Sequence, residues 1–490
     1  MGWKSKTALV VVTALAVLVA VVLYRTATYE PPAADYGDVK LAAALPFDSA
    51  KAAAHLGEAV RFQTISNQDP AQDQKAEWEK LHGWLQTTYP AAHAAMTREV
   101  IDGHTLFYTW QGSDPALAPI VLMAHQDVVP VTPGSEGAWT HPPFDGVVAD
   151  GAVWGRGSID DKGSLVTLFE AAETLAAAGF KPRRTVIIVS GHNEEANSTG
   201  ASAAAALMTS RGIKADWVLD EGMAVIENFP MVGAPVAVVG LSEKGYATLR
   251  ITAPAAGGHS STPPKATGVE VLAAAILAIT GDPFPMKFSG PGAQMVQSIA
   301  PHAGFLVKMA AANDWLFGPL LVSQIGATPA GAASLHTTIA PTMLKGSPKE
   351  NVLPQDATAW INYRIAPGQT ADDVMAHAHK ATRGLDVKLA WEDQANNPSP
   401  VSSTSSNGWK VIAALASDGG KTPVAPGLVM AGTDSRYMTG AAKDVYRFQP
   451  LVASVDELAM IHGTNEHLTL DNLQRMVVFY QRLIATAASS

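Results

Sequence analysis

The 490-residue chain contains no cysteine, which excludes disulfides and any thiolate-ligated metal site. The fold must stand on its apolar core and on whatever metals imidazole and carboxylate groups can hold. The missing thiols do not identify a compartment, because such a chain is safe in either redox environment. Charge is sparse as well: Asp, Glu, Lys and Arg make up 16% of residues, against about 25% in an average protein. The formal net charge is −10 and there are no basic runs, which argues against nucleic acid as a partner. Internal repeats are missing too, and low complexity is confined to residues 402–406.

One long apolar run is present, residues 7–24 (TALVVVTALAVLVAVVLY), preceded by Lys4 and Lys6. Its length reaches the roughly 17–25 residues needed to cross a bilayer and exceeds the ~7–15 of a signal-peptide core. Arg25 occupies the −3 position of a cut after Ala27, which disfavours cleavage there. We expect a membrane anchor over residues 1–25 and a linker over residues 26–44. The flanking lysines then keep the N-terminus cytoplasmic and the rest of the chain extracytoplasmic, periplasmic or lumenal. Secretion after signal cleavage is the alternative. A buried core helix is disfavoured, because the run is apolar on every face.

Five separated positions carry metal-ligand chemistry: His125 in MAHQD, Asp160 in GRGSIDDKG, Glu195 in GHNEE, Asp220 in LDEG and His462 in IHGTNEH. Ligands of these types suit a hydrolytic zinc pair, which activates water and polarises a carbonyl. Glu194, beside the third position, is the candidate general base. Each short motif is common by itself, so placement decides. Residues 119–124 (PIVLMA), 185–190 (TVIIVS) and 215–219 (ADWVL) read as strands, and His125, the Glu194-Glu195 pair and Asp220 follow their ends. Ligands in open α/β sheets gather beyond the carboxyl ends of strands. Asp160 lies in a loop with Gly155, Gly157 and Gly163 that opens a helix predicted over residues 162–178. The glycines let the backbone bend so that one carboxylate can bridge two cations.

Taken in order, HQD, WGRGSIDDKG, NEE, DEG, GGHSSTP and HGTNEH resemble the dizinc aminoacylase and carboxypeptidase family. That family includes carboxypeptidase S, the carnosinases, aminoacylases and succinyl-diaminopimelate desuccinylase. The likeness spans about residues 45–485 and is nearest the carboxypeptidase S and N-acyl-amino-acid hydrolase branch. It implies that Asp160 bridges two Zn2+, with His125 and Asp220 completing one site and Glu195 and His462 the other; Co2+ or Mn2+ suits the same ligands. It also implies Glu194 as general acid and base, Asp127 as the partner fixing the His125 tautomer, and His259 as an oxyanion donor on lid closure. Asn351, Arg364 and the GTDSR loop of residues 432–436, with Ser435 and Arg436, would grip a substrate carboxylate, arginine through paired hydrogen bonds. The chain departs from the family at Asn193, where relatives often carry Asp, and at Ala196-Asn197-Ser198.

Residues 45–240 alternate strand and helix as in a doubly wound α/β catalytic domain. Residues 241–393 read β-α-β-β-α-β, a ferredoxin-like α+β lid inserted before the catalytic domain resumes over residues 394–490. This insertion explains the long separation of Asp220 from His462. An extra apolar segment, residues 281–333, carries Phe305, Leu306, Trp315, Leu316, Phe317, Leu320 and Leu321. Packing against the lid is one reading of it, and an apolar wall for an acyl chain is another. The segment conflicts with the lid-to-lid dimer of smaller family members, so a homodimer is left open. The expected reaction is hydrolysis of an amide bond next to a free carboxylate, as a carboxypeptidase on short peptides or as an N-acyl-amino-acid amidohydrolase. A membrane-tethered binding protein without catalysis is a reading of another class, resting on the altered 193–198 loop.

Overall fold

The computed structural model describes residues 3–489; Met1, Gly2 and Ser490, at the ends of the expected anchor and of the last catalytic segment, lie outside the described residues. Parallel strands covered on both faces need apolar residues at every position. The three apolar runs satisfy this, forming the strands Ile120–Met123, Val186–Ser190 and Ala215–Asp220, all buried or nearly so. Ile120–Met123 lies between the other two in parallel register, so the residues that follow all three emerge at one edge. Among the described residues ten strands make this sheet. Thr105–Trp110 and Thr97–Ile101 extend it on one side, and Ala442–Arg447, Val236–Glu243 and Val424–Val429 on the other.

Successive side chains of a strand point to opposite faces. Leu122 and Ile188 accordingly share a core with Leu165 and Phe169 of helix Lys162–Ala177 and with Phe479 and Leu483 of helix Leu470–Ala487. Their neighbours Val121, Met123, Ile187 and Val189 share another with Ala201, Ala204 and Met208 of helix Thr199–Ser210. Each fully buried large apolar side chain contributes about 1.5–3 kcal/mol. The strand ends that present the site are therefore clamped from both sides.

The chain leaves the large sheet at Glu243 and enters a four-stranded antiparallel sheet at Gly245. The strand order is Thr338–Lys345, Asp356–Ile365, Gly245–Pro254, Lys388–Trp391, joined by helices Gly268–Thr280 and Ala371–Ala381. This is a ferredoxin-like β-α-β-β-α-β unit. Gly245–Pro254 alternates buried and outward-facing residues, and its Ala247, Leu249 and Ile251 pack on Leu272, Ala275 and Val374. The chain returns beside its exit: the Ser399 and Ser402 amides donate to the carbonyls of Glu243 and Leu241. Lys244 and residues 396–399 thus form the two strands of the connection.

Residues 281–333 fold into helices Gly290–Ile299, Phe305–Ala312, Asp314–Ile325 and Pro329–Leu335. The expectation that this segment packs on the lid holds at its start, where Phe284 joins the lid core with its ring centre 4.5 Å from that of His377, and is corrected for its later helices. Ile299 is buried with Val236, Val238 and Ala425, so these dock on the large sheet. Apolar spacing marks a buried face without saying which unit covers it. The N-terminal run forms helix Trp3–Ala27, exposed along most of its length but with Val22 and Thr26 buried. Its Lys6–Ala27 portion is long and apolar enough to cross a membrane.

Candidate metal centre and active site

Asp160 stands between two imidazoles. Its Oδ1 lies 2.9 Å from His125 Nε2, and its Oδ2 lies 3.1 Å from His462 Nε2. His462 Nε2 is also 3.0 Å from Glu195 Oε1, and His125 Nε2 is 3.5 Å from Glu221 Oε1. Two sets of donors lie close enough to share a cation: His125, Asp160 and Glu195, and His125, Glu194 and Glu221. His462 is held at φ 61°, a left-handed conformation that costs a non-glycine residue about 1–3 kcal/mol and clusters at functional sites.

The loops bearing these groups are fixed by buried carboxylates that accept backbone N–H bonds. Glu466 accepts from Gly157, Ile159 and Asp160 at 2.9–3.1 Å and pairs with Arg156 Nη1 at 2.6 Å. Strand His467–Thr469 pairs with Ala152–Trp154, which brings the His462 loop alongside the Asp160 loop. Gly157, at φ 84°, must be glycine on steric grounds too, because a β-carbon there would collide with Val128. Asp127 accepts from the Glu194 and Glu195 amides, both at 3.0 Å, and from Ser66 Oγ at 2.5 Å. Its backbone carbonyl lies 3.0 Å from His125 Nδ1, which leaves Nε2 free of the ring proton and able to ligate. Asp161 accepts from the His125 amide at 3.2 Å, consistent with a loop role and not a ligand role.

The electrostatics of the cluster suit a candidate cation site. Burial raises the Glu194 carboxyl well above its usual range, and repulsion from Asp434, Glu221 and Glu195 adds to the effect. Burial and Asp160 do the same to Glu221. Burial also acts to raise Asp160, but hydrogen bonds from His125 and His462 overcome it and hold the carboxyl below its normal range. Bonds to Asp160 and Glu195 raise His462 to about 10. Buried carboxylates facing two histidines at one edge are costly unless a positive ion pairs with them. The donors are imidazole and oxygen only, which fits zinc, cobalt or manganese.

The substrate-facing residues fall into two groups. Arg364 stacks over Tyr246, with its guanidinium carbon 4.8 Å from the ring centre, at the hinge end of strand Asp356–Ile365. Burial lowers its pKa; Tyr246 opposes this, and the positive charge of Arg436 adds to it. Arg436 is within reach of the Glu194 charge and donates to Ser198 Oγ at 3.3 Å; its buried Nε has no partner among the described residues. His259 and Asn351 lie on a separate exposed ribbon, where strand Gly258–His259 pairs with Val352–Leu353 and the Ser260 amide donates to the Asn351 carbonyl.

A doubly wound sheet carrying an inserted ferredoxin-like unit, with carboxylates and histidines gathered at its edge, is matched over residues 121–486 by the family described as Peptidase family M20/M25/M40. The chain belongs to that family. Probable carboxypeptidase S-like 2 of Dictyostelium discoideum is 33% identical over 439 residues, 88% of this chain and 84% of the relative. N-fatty-acyl-amino acid synthase/hydrolase PM20D1 of Homo sapiens is 36% identical over 395 residues, 79% and 78% of the two chains. The M20 family metallo-carboxypeptidase Sso-CP2 from Sulfolobus solfataricus has the same fold, with TM-score 0.64 at 18% identity, covering 90% of this chain and 99% of that one. The M20 family is metal-dependent, and this chain is a hydrolytic enzyme of it.

Within this M20 enzyme the structure revises three readings. Glu221, and not Asp220, groups with His125. Asp220 ends its strand with its carboxylate accepting from the Ser435 amide at 2.8 Å, while the Glu221 carboxylate, one residue on, lies 3.5 Å from His125 Nε2. Ser435 is buried, its hydroxyl 2.7 Å from Thr433 Oγ1, so its polar atoms serve the loop and not a ligand. Asn351 and Arg364 do not converge. Nearly the whole length of strand Asp356–Ile365 separates them, which is roughly 27 Å at ~3.4 Å per residue. Glu221, Glu466 and Ser66 were not foreseen. Only the acidic pair in LDEG and the NEH string carried a signal for the first two. Asn193, the departure from the family pattern, is fully used: its side chain bonds Asn197, Thr199 and the Gly200 amide and so closes the loop onto helix Thr199–Ser210. That removes the ground for a non-catalytic reading.

Proposed function

We propose that this enzyme cleaves an amide bond whose amine side carries a free carboxylate, releasing the C-terminal residue of a short peptide. The observation that carries the reading is Asp160, whose two oxygens face His125 and His462, with half-buried Glu194 grouped with His125 and Glu221. Two Zn2+ would be held by His125, Asp160, Glu195, Glu221 and His462, with Co2+ or Mn2+ as alternatives. Divalent ions bound there polarise a carbonyl and acidify water. Glu194, fixed through its amide on Asp127, takes a proton from the attacking water and returns it to the departing nitrogen. Arg364 and Arg436 receive the substrate carboxylate from opposite sides of the cleft. On the lid ribbon, the Ser261 amide donates to His259 Nδ1 at 3.1 Å, which places the ring proton on Nε2. That tautomer can donate to a developing oxyanion when the lid closes.

A second reading is hydrolysis of N-acyl amino acids. It is favoured by the likeness to N-fatty-acyl-amino acid synthase/hydrolase PM20D1 and by the apolar helices of residues 305–325. Their segment ends beside the cationic cleft, where Lys244 Nζ donates to the Ala333 and His336 carbonyls at 2.9 and 2.8 Å. Mass-spectrometric turnover of a mixed panel of blocked dipeptides and N-acyl amino acids separates the two. Turnover of neither by the zinc-loaded enzyme would sink both.

Helix Trp3–Ala27 is proposed to remain as a membrane anchor, with the enzyme on the extracytoplasmic side. Its final turns have partners in the folded body: Arg25 Nε donates to the Ala312 carbonyl at 3.0 Å, and buried Asn313 donates to the Val22 carbonyl and Thr26 Oγ1, both at 3.2 Å. Cleavage near Ala27 would take away the side-chain partner of the Ala312 carbonyl and leave the Asn313 NH2 group with the Met309 carbonyl, at 2.9 Å, in place of three acceptors. Recovery of intact protein in the soluble fraction after cell breakage would contradict the anchor.

A further inference from the structure

We infer that the inserted helices Phe305–Ala312 and Asp314–Ile325 form a pad that dips into the outer leaflet beside the anchor; this rests on the proposal that the anchor is retained. Helix Asp314–Ile325 is mostly apolar, yet of its described residues Leu321 alone is buried. Leu306 is 72% exposed, Phe305 59%, Trp315 55% and Leu320 52%, while Lys308 and Asp314 are the charged residues of the two helices. Large apolar side chains left exposed on two successive helices point to an interaction surface.

The anchor identifies the occupant. The apolar helix Lys6–Ala27 spans 22 residues, about 33 Å at 1.5 Å per residue, which matches a hydrocarbon core of about 30 Å. The inserted pair grips this helix at its outer end, through Ala312 and Asn313 on Val22, Arg25 and Thr26. Val22 lies three residues before the charged Arg25, about 4.5 Å along the helix and inside the apolar layer. A segment bonded at that depth reaches the boundary where interfacial helices sit, about 5–10 Å into the membrane. Trp315 is the residue type that favours this level. An aqueous pad would have to keep its apolar side chains in water immediately next to lipid.

The absence of cysteine makes the test direct. Single variants Leu306→Cys, Leu320→Cys, Val12→Cys and Lys80→Cys of the full chain are spin-labelled and reconstituted into phosphatidylcholine vesicles. Accessibility to oxygen is then compared with accessibility to a water-soluble nickel chelate. Val12 lies within the anchor, and Lys80 is an exposed site on helix Lys75–Thr88. The pad predicts an oxygen-to-nickel ratio at positions 306 and 320 several-fold above that at position 80 and below that at position 12. Water-like values at 306 and 320 with a lipid-like value at 12 overturn the pad and leave the anchor standing. A water-like value at 12 overturns the anchor and the pad with it. Spin–spin broadening at 306 and 320 that vanishes on dilution with unlabelled protein assigns the surface to a second copy and also overturns the pad.

Discussion

Replacing Asp127 by asparagine keeps the shape of the side chain and removes one acceptor oxygen. Wild-type Oδ1 takes the Glu194 amide, and Oδ2 takes the Glu195 amide and Ser66 Oγ. In the best orientation the asparagine oxygen keeps Oδ2's partners, and its NH2 group faces the Glu194 amide, donor against donor. An unsatisfied buried N–H costs about 1–3 kcal/mol, and the two surviving bonds lose charge assistance, worth roughly 1 kcal/mol each. The sum, about 3–5 kcal/mol, is a large part of the ~5–15 kcal/mol that holds a typical protein folded. Because the same carboxylate also lies 3.4 Å from His125 Nδ1, metal affinity should fall about 10–100-fold. Urea unfolding and zinc competition against a chromophoric chelator measure the two effects. Ser66→Ala removes one hydroxyl and should cost about 1 kcal/mol with little change in zinc affinity. An Asp127→Asn protein with wild-type unfolding midpoint and zinc affinity would refute the argument that Asp127 organises both the glutamate loop and the histidine.

Glu194→Gln should bind metal normally and lose turnover by about 10²–10⁴-fold, read by single-turnover kinetics on the best substrate of the panel. Glu221→Gln should lower metal content by elemental analysis, whereas Asp220→Asn should keep it and lose stability through the Ser435 amide bond; the reverse outcome would restore Asp220 as the ligand. His82, lowered by burial to about 4 and bonded to Gln126 Oε1 at 2.7 Å, stays neutral in the folded protein while the unfolded chain takes up a proton near pH 6.5. Its contribution is complete above that pH and is lost on acidification, about 2 kcal/mol by pH 5. The difference in unfolding free energy between wild type and His82→Gln, from urea titrations, should shrink by that amount from pH 7 to pH 5, and a pH-independent difference would contradict it.

The strands were legible because a parallel strand buried on both faces leaves an unbroken apolar run, as in residues 119–124 and 185–190. The lid was legible for the opposite reason, since Gly245–Pro254 is covered on one face and alternates. Side-chain direction past a strand end was not legible. Reading the first acid after an apolar run selects Asp220, and only the backbone shows that Glu221 turns toward His125. Glu466 and Asp127 act mainly on backbone amides, which every residue carries and no motif marks. The apolar segment of residues 281–333 announced a buried face, but docking on the large sheet through Ile299 depends on long-range packing. Asn351 and Arg364 lie near each other in sequence, and the extended strand between them sets them far apart.

The central proposal is a pair of metals that Asp160 would bridge and that His125, Glu195, Glu221 and His462 would hold. Crystals of the zinc-loaded enzyme measured on both sides of the zinc absorption edge test it most directly. Two anomalous peaks, one on each side of the Asp160 carboxylate, are predicted. A single peak, peaks away from Asp160, or a peak ligated by Asp220 with Glu221 turned aside would contradict it.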